Sequence, residues 1–189
     1  MTRLTVLLFA LMLGACTPLM VQTAGQPPLG FEGPRLAGDR FVSFDGARLG
    51  LTSWEAQDGA PDAVIVAVHG MNDYANAFHL AAPYWAEHGV TTYAYDQRGF
   101  GRSPNRGVWP DETVLQEDLR TLVSLVRARH PHALVVVAGE SMGGAVAIRA
   151  FASERPPAAH RLVLMAPAVW GWSTQPLPYK TALWFAAHV

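Results

Sequence analysis

The sequence predicts an α/β fold, a mostly parallel sheet flanked by helices, and three observations predict it. Short valine-rich runs such as "AVIVAVHG" and "ALVVVAG" stop at glycine, as strands buried on both faces do. Segments of helical period alternate with them, which implies right-handed crossovers between parallel strands. The 189 residues are 50% hydrophobic and 15% charged, enough for one substantial core and unlike a disordered chain.

Taken in order, the elements begin with an export signal. "MTRLTVLLFALMLGAC" carries Arg3, an apolar run from Leu4 to Leu13 and then small residues. That run is too short for a bilayer core, which needs about 20 apolar residues. Leu13-Gly14-Ala15-Cys16 resembles the lipobox of bacterial lipoproteins, whose cysteine is acylated and becomes the mature N-terminus. The resemblance implies lipid attachment at Cys16 and a membrane partner. Thr17 in place of an aspartate implies sorting to the outer membrane, facing the periplasm. Cys16 is the sole cysteine, so an intramolecular disulfide and a thiolate metal cluster are both excluded. Residues 1–16 are thus read as a signal with its lipobox. Residues 17–35, rich in proline and glycine and without period, are read as a flexible tether.

The globular part is expected over residues 36–173. "DRFVSFDGARLGLTSW" holds two extended runs around Asp45-Gly46, a preferred hairpin pair. Strand Ala63 to Gly70 follows, then a helix from about Ala77 to Glu87 and the strand "VTTYAYD". "DETVLQEDLRTLVSLVRARH" places Leu115, Leu119, Leu122, Val123 and Val126 on one helical face. Its acids stand at the start and its arginines at the end, as the helix dipole favours. "ALVVVAG", the helix "MGGAVAIRAFAS" and the strand "RLVLMAP" complete the alternation.

In such a sheet the reacting groups sit at the carboxyl ends of strands. Ser141 stands there, between glycines in "GESMGG". A nucleophile turn strains the serine backbone and brings strand and helix so close that only glycine fits beside it. A serine hydroxyl needs a base for its proton and donors for the oxyanion. The donors predicted are the backbone N–H of Met142, directly after the serine, and that of Met71 in the loop "HGMNDY". His69 could be proposed as the base, but its place on a neighbouring strand end suits it better to fixing the oxyanion loop.

"HGMNDY", "DQRGFGRS" and "GESMGG", in this order and spacing, resemble the α/β-hydrolase superfamily, in particular its monoglyceride lipase and lysophospholipase branch, grouped with the S33 aminopeptidases. The resemblance runs from about Phe41 to Trp172. It implies Ser141 as nucleophile, Met71 and Met142 as the oxyanion hole, Asp96 to Ser103 as a structural turn, a lipid-like carboxylic ester as substrate, and no metal or organic cofactor. "GFGRSP" is not a dinucleotide loop, because Pro104 stands where a third glycine is required. With a single lysine and a net charge of -1, nucleic acid is not an expected partner.

The chain departs from the family after Ser141. The fold orders its triad Ser, Asp or Glu, His, yet no Asp or Glu follows Glu154, and only His160 and His188 remain. His160 precedes a strand, at its amino end, and His188 adjoins the terminus. The triad acid and histidine are therefore expected to be absent from this chain. In the resembled family, "APA" leads into a cap over the site. Trp170, Trp172, Leu177, Tyr179, Leu183, Trp184 and Phe185 read as its apolar opening, with residues 174–189 an incomplete cap, or alternatively as core packing or an incidental apolar end. The chain is accordingly expected to be the N-terminal part of a longer hydrolase, truncated before the cap and the last strands, and inactive by itself. An aminopeptidase or thioesterase of the same fold, or a non-catalytic membrane-anchored lipoprotein, are the alternatives.

Overall fold

The computed structural model describes residues 20–188 apart from Asp58; Cys16 and the apolar run before it lie outside them. The chain divides into two units, Val21–Ala168 and a second that holds the segment from Val169 onward.

The first unit is built on a seven-stranded sheet. Its strands are β2 (Arg35–Ala37), β3 (Arg40–Val42), β4 (Arg48–Trp54), β5 (Ala63–Val68), β6 (Val90–Tyr95), β8 (Leu134–Glu140) and β9 (Arg161–Met165), in the order β2-β3-β4-β6-β5-β8-β9. The last four in that order are mutually parallel, and β2 to β4 form an antiparallel meander joined through β4 to β6. Two further short strands, β1 (Val21–Gln22) and β7 (Trp109–Pro110), pair with each other in parallel. The helices are α1 (Ala81–Ala86), α2 (Glu112–Arg129) and α3 (Met142–Phe151).

Period-two burial sends the two faces of β5 into different cores. Val64, Val66 and Val68 pack with Val135 and Val137, with Leu119, Leu122, Val123 and Val126 of α2, and with Val146, Ala147 and Ala150 of α3. On the other face Ala67 and Ala94 meet Phe78 and Ala82. Both faces are thus covered by helix, as the continuous apolar strands require.

The expected helix over 77–87 is two pieces, a 3-10 turn at Ala75–Phe78 and then α1. Pro83 is the cause: a proline ring clashes with the carbonyl four residues earlier, here at His79, so the helix cannot extend upstream. Helix α2 starts one residue later than its acids suggested. Asp111 caps it, accepting a bond of 2.8 Å from the Thr113 N–H. The Asp45-Gly46 hairpin forms with a wider loop, Val42 facing Arg48 and Gly46 at φ 82°. Strand β2, unexpected from the sequence, is added by a two-residue turn at Gly38-Asp39 with Gly38 at φ 62°.

The described part of the expected tether is held against the body. Besides the β1–β7 pairing, the Asp111 N–H donates to Gln22 O at 2.9 Å, and the Gly25 N–H to the Asp45 carboxylate at 2.8 Å. Proline and glycine content signalled the lack of repeating structure here, but not these contacts.

Arg98 forms a buried clamp. Its guanidinium donates to both Asp45 oxygens at 2.7 and 2.8 Å and to both Asp118 oxygens at 2.7 and 2.8 Å. The Ser43 hydroxyl adds a bond of 2.5 Å to Asp118. Burial disfavours the charged guanidinium, yet the two carboxylates outweigh it and raise the Arg98 pKa. Burial also acts against the Asp45 carboxylate, but Arg98 and the Gly25 and Ala47 N–H groups hold its pKa down at about 2. At Asp118 burial prevails and the pKa is raised.

In the second unit a 3-10 turn at Trp172–Thr174 precedes helix α4 (Leu177–His188). Trp170, Trp172, Leu177, Tyr179, Leu183, Trp184 and Phe185 are exposed, so they are not the packed core that was the alternative reading. Trp184 and Phe185 meet edge to face at 5.3 Å. No described helix is long and apolar enough to cross a membrane.

Candidate active site

The register aligns the strand ends. Val68 of β5 stands opposite both Tyr95 of β6 and Gly139 of β8, so His69, Asp96 and Ser141 all emerge at one carboxyl edge. Ser141 links β8 to α3 with φ 47° and ψ -113°, a left-handed conformation that costs a non-glycine residue on the order of 1–3 kcal/mol. Neighbouring chain holds it there. Its N–H donates to Met165 O at 2.9 Å, and its carbonyl accepts from Ala145 N at 3.1 Å and Ala168 N at 2.9 Å.

The glycines around it answer to close approach. A Cβ on Gly143 would stand 2.2 Å from the Val68 carbonyl oxygen, and one on Gly139 would stand 2.7 Å from Gly143 O. A Cβ on Gly70 would lie 3.3 Å from Ser141 Cβ and 3.9 Å from its Oγ, which places the Gly70-Met71 backbone beside the hydroxyl. The hydroxyl does not cap α3, although Ser141 occupies the cap position. The Met142 N–H belongs to the first helical turn, where backbone donors lack an intrahelical acceptor and carry the positive end of the helix dipole.

His69 is fully buried and both its ring nitrogens are engaged. Nδ1 lies 2.7 Å from Gly70 O and Nε2 accepts from Gln97 N at 2.9 Å, which assigns the proton to Nδ1. Gln97 Nε2 returns a bond of 2.8 Å to His69 O. Burial lowers the His69 pKa, so the ring is neutral and has no nitrogen left to serve as a base. It fastens the loop that carries Met71. Gln97, its partner, carried no signal in the sequence beyond membership of the "DQRGFGRS" stretch.

Asp96 to Ser103 makes a structural turn, as expected. The Asp96 carboxylate accepts from Ala75 N at 2.7 Å and from Arg102 N at 2.8 Å, and the Ser103 hydroxyl bonds the Asp96 carbonyl. The clamp residues Asp45 and Asp118 lie far apart in sequence, and nothing in either stretch announced their meeting at Arg98.

His160 accepts from Val135 N at 2.9 Å, at the amino end of β8 and hence the edge opposite Ser141. The His188 side chain lies outside the described residues. Among the described residues no imidazole is hydrogen-bonded to Ser141 Oγ.

A cavity of about 490 Å³ adjoins the loop after β5. Met71, Asp73 and Tyr74 line one side, and Phe100, Arg106 and Trp109 the other.

Comparison with known proteins converges on one family. The family described as serine aminopeptidase, S33, matches residues 59–189. The monoacylglycerol lipase of Mycolicibacterium smegmatis is 35% identical over 130 residues, covering 68% of this chain and 46% of the lipase. The monoglyceride lipase of Rattus norvegicus is 32% identical over 130 residues, covering 68% of this chain and 42% of that enzyme. Among solved structures, a lipase in its open form superposes with TM-score 0.62 at 25% identity, covering 78% of this chain and 50% of the other. A soluble variant of the monoglyceride lipase from Saccharomyces cerevisiae superposes with TM-score 0.55 at 20% identity, covering 76% of this chain and 48% of the other. The chain therefore spans less than half the length of these curated relatives. The profile match over most of the chain, on a parallel sheet with a strained serine between β8 and α3, shows that the chain belongs to the serine aminopeptidase S33 family of α/β-hydrolases.

Proposed function

We propose that the protein is a serine hydrolase of lipid-like carboxylic esters, of the monoacylglycerol or lysophospholipid type, held at a membrane by lipid on Cys16. The observation that carries the proposal is the left-handed Ser141, its hydroxyl uncapped and beside Gly70. In this reading Ser141 Oγ attacks the ester carbonyl carbon and gives up its proton to a base, and the carbonyl oxygen becomes an oxyanion. The N–H groups of Met142 and Met71 receive that charge, an arrangement in which each donor contributes on the order of 10²–10³ in rate. Collapse of the intermediate expels the alcohol, which takes the proton, and leaves an acyl group on Ser141. Water then attacks the acyl carbon and releases the carboxylic acid.

In this reading the base is supplied from outside the described residues, which is supported by the engagement of both His69 ring nitrogens and by His160 standing at the other sheet edge. The monoacylglycerol lipase and monoglyceride lipase names of the relatives support a glyceryl ester as the substrate class. Cys16 after an apolar run supports a bacterial envelope location, with the outer membrane facing the periplasm as the site.

A fluorophosphonate applied to the native membrane fraction is expected to label the Ser141 peptide. Ser141→Ala is expected to abolish that label and to lower esterase turnover by about 10⁴-fold or more. Faster hydrolysis of an aminoacyl anilide than of a glyceryl ester would transfer the proposal to an aminopeptidase. Unlabelled Ser141 in the native membrane would instead favour a non-catalytic lipoprotein that keeps the fold as a binding surface.

A further inference from the structure

The β1 strap and the cavity beside Met71 belong to one face of the first unit. Val21 is the register partner of Trp109, and Trp109 is itself part of the cavity wall. Asn105 Nδ2 donates to Gln22 Oε1 at 3.1 Å, and the Asp111 N–H donates to Gln22 O at 2.9 Å, so the strap and the loop from Asn105 to Asp111 are joined along their length. Val21, Met71, Tyr74 and Trp109 are all exposed on this face. Arg106 also lines the cavity, and Asp73 turns its carboxylate to its neighbour's N–H, accepting from Tyr74 N at 2.8 Å.

Cys16 precedes Val21 by five residues. A fully extended chain covers at most about 3.6 Å per residue, so a lipid on Cys16 can lie no more than about 18 Å from this face. A tether free from 17 to 35 would have left the body able to turn in any direction. Fastened at Val21, it keeps this face the nearest to the anchor.

From this geometry we infer that the face formed by Val21, Met71, Tyr74 and Trp109 docks on the lipid bilayer and opens the cavity directly to it. The inference rests on lipid attachment at Cys16. The composition suits a membrane interface: tryptophan and tyrosine place an apolar ring and a polar edge at the headgroup level, and an arginine among them can meet lipid phosphate. An amphiphilic ester would then pass from the bilayer to the edge that holds Ser141 without crossing water.

The test uses the lipid-modified full chain in vesicles of phosphatidylethanolamine and phosphatidylglycerol. Acylation leaves Cys16 without a free thiol, so a solvatochromic dye can be attached to a single new cysteine in Trp109→Cys, in Tyr74→Cys or, as a control on the opposite edge, in exposed His132→Cys. Far-UV circular dichroism checks that each variant is folded. Lipids brominated on their chains are expected to quench the dye at 109 and 74 at least about twofold more than at 132, with a blue-shifted emission at the first two. Equal quenching at all three positions in a vesicle-bound, lipidated chain would overturn the docking face alone. A chain whose mass shows bare Cys16 and which does not float with vesicles would overturn the anchor, and the inference with it.

Discussion

His69 shows how a residue that can be suspected of catalysis is committed elsewhere. Its Nδ1–H bonds Gly70 O and its Nε2 accepts from Gln97, and burial lowers its pKa. The sign of the resulting pH dependence follows from proton binding. The unfolded chain takes up a proton near the ordinary value of about 6.5 and the folded chain does so only at lower pH, so unfolding binds protons on the acid side. The stability contributed by the neutral His69 ring is therefore expected to be fully present above about pH 6.5 and to fall as the pH drops below it. His130, also lowered by burial, adds to the same trend. Nitrogen-detected NMR of the His69 ring is expected to show a neutral Nδ1–H tautomer at pH 6, and a ring protonated at that pH would contradict the hydrogen-bond assignment. The sequence suggested that His69 fixes the oxyanion loop, because it precedes the serine on a neighbouring strand end. That the ring holds the stretch before Met71 to Gln97 was hidden, since a contact between residues 28 positions apart leaves no local pattern.

The unit β8-Ser141-α3 was legible at the level of elements because its constraints are local. A valine run, a serine and glycines at fixed offsets encode strand, turn and helix within a short stretch. The closest approach is between Gly143 and the Val68 carbonyl, a backbone atom that cannot rotate away. Gly143→Ala is thus expected to lower stability by about 3 kcal/mol or more, at the upper end of overpacking effects. Urea unfolding monitored by circular dichroism would measure it, and a change below about 1 kcal/mol would mean that the strand and helix can separate without cost. Elsewhere the local code was overridden. Pro83 divided the helix expected over 77–87, and β1 and β2 formed in stretches whose only signals were proline, glycine and turn residues. Short strands at sheet edges are set by their partners, and those partners are remote in sequence.

Across the whole molecule, the α/β class was readable because both faces of the central strands β5 and β6 are buried, and continuous apolar runs betray that arrangement directly. Charge placement was not readable in the same way. Arg98, Asp45, Asp118 and Ser43 come from the loop after β6, the β3–β4 hairpin and helix α2, and each is unremarkable in its own stretch. Their meeting has a kinetic consequence. The clamp closes only after the meander, the loop after β6 and the helix have all taken their places, so its bonds are expected to be absent from the folding transition state. Arg98→Met should then leave the refolding rate nearly unchanged and accelerate unfolding, the signature of a φ-value near zero. Stopped-flow chevrons would show an unfolding limb displaced upward over an unmoved folding limb. In that case the buried clamp serves as a latch on the finished sheet, governing how long the native protein persists and contributing little to how fast it arises.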